Sequence, residues 1–222
     1  MTLPETFKRS PWDSDVFGLN AYEITEVSRE TLTLAARVTG HYTVRVEPLA
    51  SKQLLQNNGF YYCDTLIEPY CSQERFIAFD DNEVAVSCDD SLEALLAICH
   101  GAFSHGRFHR DFNIDPALAD LRYDRWLVRL HNAGKVFGLL HQNELAGFIA
   151  VEGGRLVLHA VSLRDRGLSK YLWTPVCRML FDRGCGELSS SISSSNLAAV
   201  NLYASLGFRF RNPVDIYHRL TP

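Results

Sequence analysis

At 222 residues, 46% hydrophobic and 11% aromatic, the chain can build one domain or two modest ones, and its composition argues against disorder. A formal net charge of −4 argues against a general nucleic-acid binder, which would carry a basic face. No apolar run approaches the roughly 20 residues that span a membrane, residues 1–10 lack the apolar core of a secretory signal, and six cysteines without a CxxC pair read as reduced, mostly buried thiols of a cytoplasmic protein.

In chain order, Pro11 to Gly18 reads as a dense polar-aromatic loop, followed by a strand over 19–27. A short β-rich stretch, 42–46, precedes a helical run over 50–57 that stops at Gly59. A strand follows over 60–68. Asp90 or Ser91 can cap a helix whose apolar positions Leu92, Leu95, Leu96 and Cys99 keep helical spacing. A polar loop, 104–115, leads to a helix over 116–133 with Pro116 in its first turn. Three strands in a meander are expected at 135–141, 145–152 and 155–161, joined by Gln142-Asn143-Glu144 and Gly153-Gly154. A helix over 170–182, a strand over 187–195, a helix over 197–206 ending at Gly207 and an extended return from Phe208 complete the chain. The serine-rich run 189–195 abuts a helix, which fits a buried strand of small side chains beside a ligand better than a linker.

Two segments carry chemistry. The third meander strand runs into Arg164-Asp165-Arg166-Gly167-Leu168-Ser169 and then a helix. A glycine-containing turn that opens a helix presents unpaired amides at the positive end of the helix dipole, an arrangement that binds phosphate. Arg164, Arg166 and Lys170 add positive charge where a helix start ordinarily favours acids. The second segment is Asn196-Leu197-Ala198-Ala199-Val200-Asn201-Leu202-Tyr203, closing in Gly207-Phe208. Asn196 can cap its helix and Gly207 can end it.

Together these segments resemble the GNAT superfamily of acyl-CoA transferases. Arg164, Gly167 and Ser169 resemble its pyrophosphate loop, with Ser169 standing where the last Gly or Ala is usual. Asn196, Ala199, Leu202, Tyr203, Gly207 and Phe208 match its later signature. The resemblance covers residues 135–220. It implies an α/β (α+β) GNAT fold, a mixed and mostly antiparallel sheet flanked by helices, with acyl-CoA as co-substrate and no metal. It further implies that the strand 155–161 splays from 187–195 and pairs with pantetheine. The amides of Arg166, Gly167, Leu168, Ser169 and Lys170 would hold the pyrophosphate, and Asn196 and Asn201 would lie along the cofactor. A backbone N–H near Ala160 or Val161 would stabilise the oxyanion, and the Tyr203 hydroxyl would protonate the leaving thiolate. For the general base, His159, Glu152 and a water chain stay open.

The first half resembles a narrower group, the dTDP-amino-sugar N-acyltransferases typified by TDP-fucosamine acetyltransferase. Trp12-Asp13-Ser14-Asp15-Val16-Phe17-Gly18 resembles their opening, with Val16 in place of the usual Phe. Arg107-Phe108-His109-Arg110-Asp111, with Tyr123 and Trp126 on the next helix, is similar to their Ser-Arg-Phe loop, Gly106 departing from it. The resemblance implies acceptor contacts from Trp12, Asp13, Phe17, Arg107, Phe108, His109, Asp111 and Tyr123. For Tyr123 and Trp126, at i and i+3, core packing is the simpler reading. The acyl group would be acetyl or a short hydroxyacyl such as 3-hydroxybutanoyl. The expected partners are a nucleotide-linked amino sugar and acyl-CoA, with no nucleic acid or membrane, and a homodimer left open. A GNAT acting on a protein or small-molecule amine is the alternative, and an inactive acyl-CoA-binding sensor is the alternative of another class. His105 and His109 lack a third ligand at metal-site spacing. Finally, residues 54–60 echo 202–208 as helix, glycine, phenylalanine. Residues 1–88 are therefore expected to form a truncated GNAT-like half and 89–222 the acyl-CoA-binding domain.

Overall fold

The computed structural model describes residues 4–222, except for the side chain of Arg166. The chain resolves into two compact units that interleave along the sequence. Unit 1 takes residues 1–66, 105–122 and 213–222, and unit 2 takes 67–104 and 123–212.

Unit 1 contains β1 (Phe7–Arg9), β2 (Ala21–Ile24), β3 (Gly40–Val46) and most of β11 (Arg209–Thr221), hydrogen-bonded in that order. β1 and β11 pair antiparallel with β2 and β3, whereas β2 and β3 are parallel, with Ala21 opposite His41. α2 (Arg29–Ala35) joins the parallel pair, and α3 (Gln53–Asn57) precedes β4 (Tyr61–Ser72). Leu32, Tyr42, Val44, Leu55 and Phe60 fill one core. The segment 11–17 is a helix, α1 (Pro11–Phe17), and not the loop expected from its polar composition. Ser10 caps it, Pro11 occupies the first turn and Gly18 ends it at φ 66°. Those three residues are standard helix boundaries that the polar residues between them obscured. α2 escaped notice for a similar reason, being only seven residues long, although Ser28 and Thr31 form its capping box.

Unit 2 carries β5 (Val84–Ser87), β6 (Val136–His141), β7 (Glu144–Glu152), β8 (Arg155–Val161) and β9 (Glu187–Ser190), in the sheet order β4-β9-β8-β7-β6-β5. The expected meander is present. Gln142 and Asn143, both at positive φ, make its first turn, and Gly153 at φ 62° opens its second. α4 (Leu92–Cys99) is capped by Ser91, and α5 (Pro116–Asn132) runs from unit 1 residues into unit 2 residues. α6 (Ser169–Asp182) joins β8 to β9, a parallel pair. The serine-rich strand breaks at Ser191 into β9 and a two-residue β10 (Ile192–Ser193), with Ser190 and Ser193 buried. α7 (Leu197–Ser205) follows. Each unit thus contains a parallel strand pair joined by a helix, followed by a second helix, a glycine and a phenylalanine. All six cysteines are free, and four are buried. No helix among the described residues is long and apolar enough to cross a membrane.

Candidate active site

The pairing of β8 with β9 is short. It covers Arg155 with Ser189 and Leu156 with Ser190, while β8 continues to Val161 against β7. Ala160 and Val161 therefore sit on a strand whose β9 side leaves the parallel ladder after Leu156. The chain then turns through a 3-10 segment, Leu163–Leu168, into α6. Leu168, at the α6 N-cap, offers no side-chain cap to the amides behind it. Gly167 has an ordinary φ, and a Cβ added there would meet nothing within 4 Å. The fold does not demand glycine at 167, so the open space over the turn is the feature that fits a bound pyrophosphate.

Arg164 and Lys170 are already engaged. Arg164 Nη2 donates to Glu144 at 2.6 Å, and its Nε donates to Asp165 at 3.1 Å. Lys170 Nζ lies 4.4 Å over the Phe79 ring and 5.2 Å over that of Tyr171. Asp165, between the two arginines, is buried and accepts from the Ser162 hydroxyl at 2.5 Å. The Arg166 side chain lies outside the described residues. Asn196 caps α7, its Oδ1 accepting from the Ala199 amide at 3.1 Å, and Asn201 is exposed on the same helix.

Tyr203 lies on α7 with no exposed surface, and its hydroxyl is 2.8 Å from His159 Nε2. Burial pushes the phenol well above its usual pKa, and Ser190 and Trp173 beside its oxygen offset part of that rise. Burial also brings His159 down to about 4, opposed by a hydrogen bond to its own backbone. The imidazole is neutral near pH 7, and the nitrogen facing Tyr203 is the one a base would use. Glu152 is placed differently. It opposes Arg155 at the far end of the β7–β8 hairpin, six residues from Val161, or roughly 20 Å of strand. Lys135 donates to it at 2.6 Å and holds its carboxyl below the usual range, so Glu152 is a poor base in a remote position.

Most of the residues expected to meet the acceptor gather in unit 1, yet largely as core. Phe17 and Phe108 pack at 4.9 Å within one apolar cluster that Trp12 flanks. Asp13 accepts from Arg122 Nε at 2.6 Å, and Arg107 and Arg122 each lie within 5 Å of the Phe108 ring. His109 pairs with Asp120 at 2.9 Å. Asp111 is buried and committed: Oδ2 accepts from His41 at 2.8 Å and His218 at 2.7 Å, and Oδ1 from the Tyr61 hydroxyl and the Asn113 amide. Among the described residues, His41, Asp111 and His218 are the one group of metal-capable side chains, but these distances are those of hydrogen bonds. Ser10, Asp13, Glu23, His41, Arg107 and Phe108 help to line a small cavity of about 30 Å³. Tyr123 belongs to unit 2, stacked on Phe103 at 4.3 Å against the α4–α5 core, as its helical spacing with Trp126 indicated. His41, His218 and Trp173 had no motif to announce them, because each acquires its partners only through folding.

Residues 106–208 match the model of the acetyltransferase (GNAT) family. No curated protein matches the chain. Its fold is similar to a GCN5-related N-acetyltransferase from Sphaerobacter thermophilus (13% identity, TM-score 0.60, 84% of this chain and 62% of that one). It is also similar to a functionally unknown conserved protein from Staphylococcus epidermidis (10% identity, TM-score 0.66, 100% and 94%). A third likeness is to a tandem GNAT protein from the clavulanic acid biosynthesis pathway (11% identity, TM-score 0.55, 90% and 75%). The chain thus spans 62% of the length of the Sphaerobacter protein. The fold is that of the GNAT proteins, and the segment 106–208 resembles the family in sequence.

Proposed function

We propose that the protein moves an acyl group from coenzyme A to the amine of a nucleotide-linked amino deoxysugar of the dTDP type. The observation that carries the acyl-CoA half is the early end of the β8–β9 ladder at Leu156, which leaves β8 backbone groups through Val161 for a pantetheine arm. The amides from Arg166 to Lys170 receive the pyrophosphate, and Asn196 and Asn201 lie along the cofactor. The residues fit this co-substrate: the turn is open above Gly167, and the α6 start has no side-chain cap.

The co-substrate supplies a thioester. A neutral amine, its ammonium proton lost to solvent, attacks the carbonyl carbon, and an amide near Ala160 or Val161 donates to the developing oxyanion. As the C–S bond breaks, the Tyr203 proton passes to sulfur, and the nitrogen of the new amide returns one proton to the Tyr203 oxygen. The thiol of the product has a pKa near ~8.5, below that of the buried phenol, so Tyr203 donates only as the amide nitrogen sheds its proton.

The acceptor assignment rests on the Trp12–Gly18 and Arg107–Asp111 segments and their resemblance to the amino-sugar transferases. Trp12, Asp13, Arg107 and His109 stay with it as proposed contacts. Phe17, Phe108 and Asp111 serve by holding those segments, and Tyr123 by packing. A small-molecule or protein amine is the second reading, favoured by the size of the cavity beside Arg107 and by the burial of Phe108 and Asp111. We read the N-terminal region, 1–88, as a GNAT-like half and 89–222 as the acyl-CoA-binding domain, on the strength of the repeated strand, helix and glycine pattern. The test is mass spectrometry of a panel of dTDP-amino sugars with acetyl-CoA and 3-hydroxybutanoyl-CoA. An acylated sugar is expected. Acylation of simple amines but of no sugar would leave the second reading in its place.

A further inference from the structure

Three elements of unit 2 converge on one hydroxyl. Tyr203 comes from α7, His159 from β8 and Trp173 from α6. The His159 ring meets Trp173 edge-on at 5.2 Å and 78°, and Tyr203 at 5.7 Å and 67°. Trp173 is 2% exposed and Tyr203 fully buried. The Trp173 indole nitrogen is buried without a hydrogen bond of ordinary geometry, although its N–H acts on the Tyr203 oxygen.

The imidazole has two distinguishable nitrogens. Nε2 faces the phenol at 2.8 Å, so Nδ1 is the ring nitrogen turned away from it. With its proton on Nδ1, a neutral imidazole carries a lone pair at Nε2, and the phenol O–H is then the donor. The geometry points to His159 and Trp173 as positioning residues for Tyr203. In this arrangement His159 Nε2 accepts the phenol proton until the reacting sulfur takes its place, and Trp173 prevents the imidazole from turning. This inference rests on the acyl-transfer reading above. It removes His159 from the candidate bases, because the lone pair a base needs is already filled, and leaves ammonium deprotonation to water.

Full-length wild type, His159→Gln, His159→Leu and Trp173→Phe are assayed with acetyl-CoA and the amine panel from pH 6 to 9. Glutamine can accept the phenol hydrogen bond but cannot act as a base at these pH values; leucine does neither. We expect His159→Gln to keep a kcat within ~3-fold of wild type with a superimposable pH profile. His159→Leu should lose ~100-fold or more in kcat, with the KM for acetyl-CoA unchanged, as expected for a mispositioned acid. Trp173→Phe should lower kcat without raising KM. A His159→Gln enzyme as impaired as His159→Leu at low pH and restored at high pH would overturn the inference in favour of a base.

Nitrogen-15 NMR of the histidines decides the same point without turnover. We expect Nδ1 of His159 protonated, Nε2 bare, and an Nε2 shift that moves in Tyr203→Phe. A protonated Nε2 overturns the inference. Absence of transfer to every amine sinks the acyl-transfer reading alone, since the His159 tautomer is still read directly.

Discussion

Leu55 and Tyr203 occupy the same place in two copies of one turn. The Phe60 amide donates to the Leu55 carbonyl and the Phe208 amide to the Tyr203 carbonyl, both at 3.0 Å. The intervening glycines, Gly59 and Gly207, both stand at positive φ, 71° and 85°, where residues with a Cβ are disfavoured. One copy presents an apolar side chain to a core, and the other a phenol to an imidazole.

That difference assigns chemistry to one copy. Tyr203→Phe should lower kcat by ~10²–10⁴ with little effect on acyl-CoA affinity, the usual range for losing an acid–base group. Leu55→Ala should instead destabilise by ~2–5 kcal/mol, the range for truncating a buried leucine. Steady-state kinetics and thermal melts on the two variants check the pair. Normal turnover in Tyr203→Phe removes the proposed acid.

Acid should destabilise the fold well above the carboxylate range. Burial brings both His159 and His218 to about 4 in the folded chain, against an ordinary 6.5. The unfolded chain therefore binds more protons between those values. Stability from these groups is complete above pH 6.5 and declines as pH falls toward 4. Thermal melts from pH 4 to 8 should show Tm falling in this window, with a shallower fall in His159→Gln. A flat Tm from pH 6.5 to 4.5 contradicts the prediction.

Gly167 is open to substitution by the fold but not by a pyrophosphate. Gly167→Leu should leave Tm within about 2 °C, since a surface change costs roughly ±0.5 kcal/mol. It should weaken acetyl-CoA binding by tenfold or more, which calorimetry can measure. Unchanged affinity would place the phosphates elsewhere.

Asp111, itself buried, gathers four hydrogen bonds from His41, His218, Tyr61 and Asn113. Asp111→Ala strands several buried donors and should cost ~3–5 kcal/mol, a loss of the size seen when one partner of a buried polar pair is removed. Denaturant titration measures it, and a loss below 1 kcal/mol would show that the network carries little.

Glu152→Gln should leave transfer unaltered. The side chain is exposed and ion-paired with Lys135 at the remote end of the hairpin. A large drop in kcat/KM would restore it as a candidate base.

Much of unit 2 was legible because its signals are local. Ser91, Asn196 and Gly207 mark helix ends through hydrogen bonds to residues three or four away, and the meander strands alternate beside two tight turns. Unit 1 was harder to read because its elements are short and its polar boundary residues at Ser10 and Ser28 looked like loop. The acceptor motif shows the limit most plainly. Phe108 and Asp111 read as ligand contacts, yet they are buried against Phe17 and the His41–His218 pair, from segments up to 107 residues away.

The sequence by itself determined the order of helices and strands around the acyl-CoA segment, the turn at Gly167 and the presence of Tyr203 on a capped helix. These follow from backbone propensity and short-range hydrogen bonding. Only the tertiary structure decided that the Tyr203 hydroxyl faces His159, that Trp173 stands against the imidazole, and that Asp111 is spent on two histidines. Those outcomes depend on which side chains lose water together, and desolvation is set by packing between distant segments.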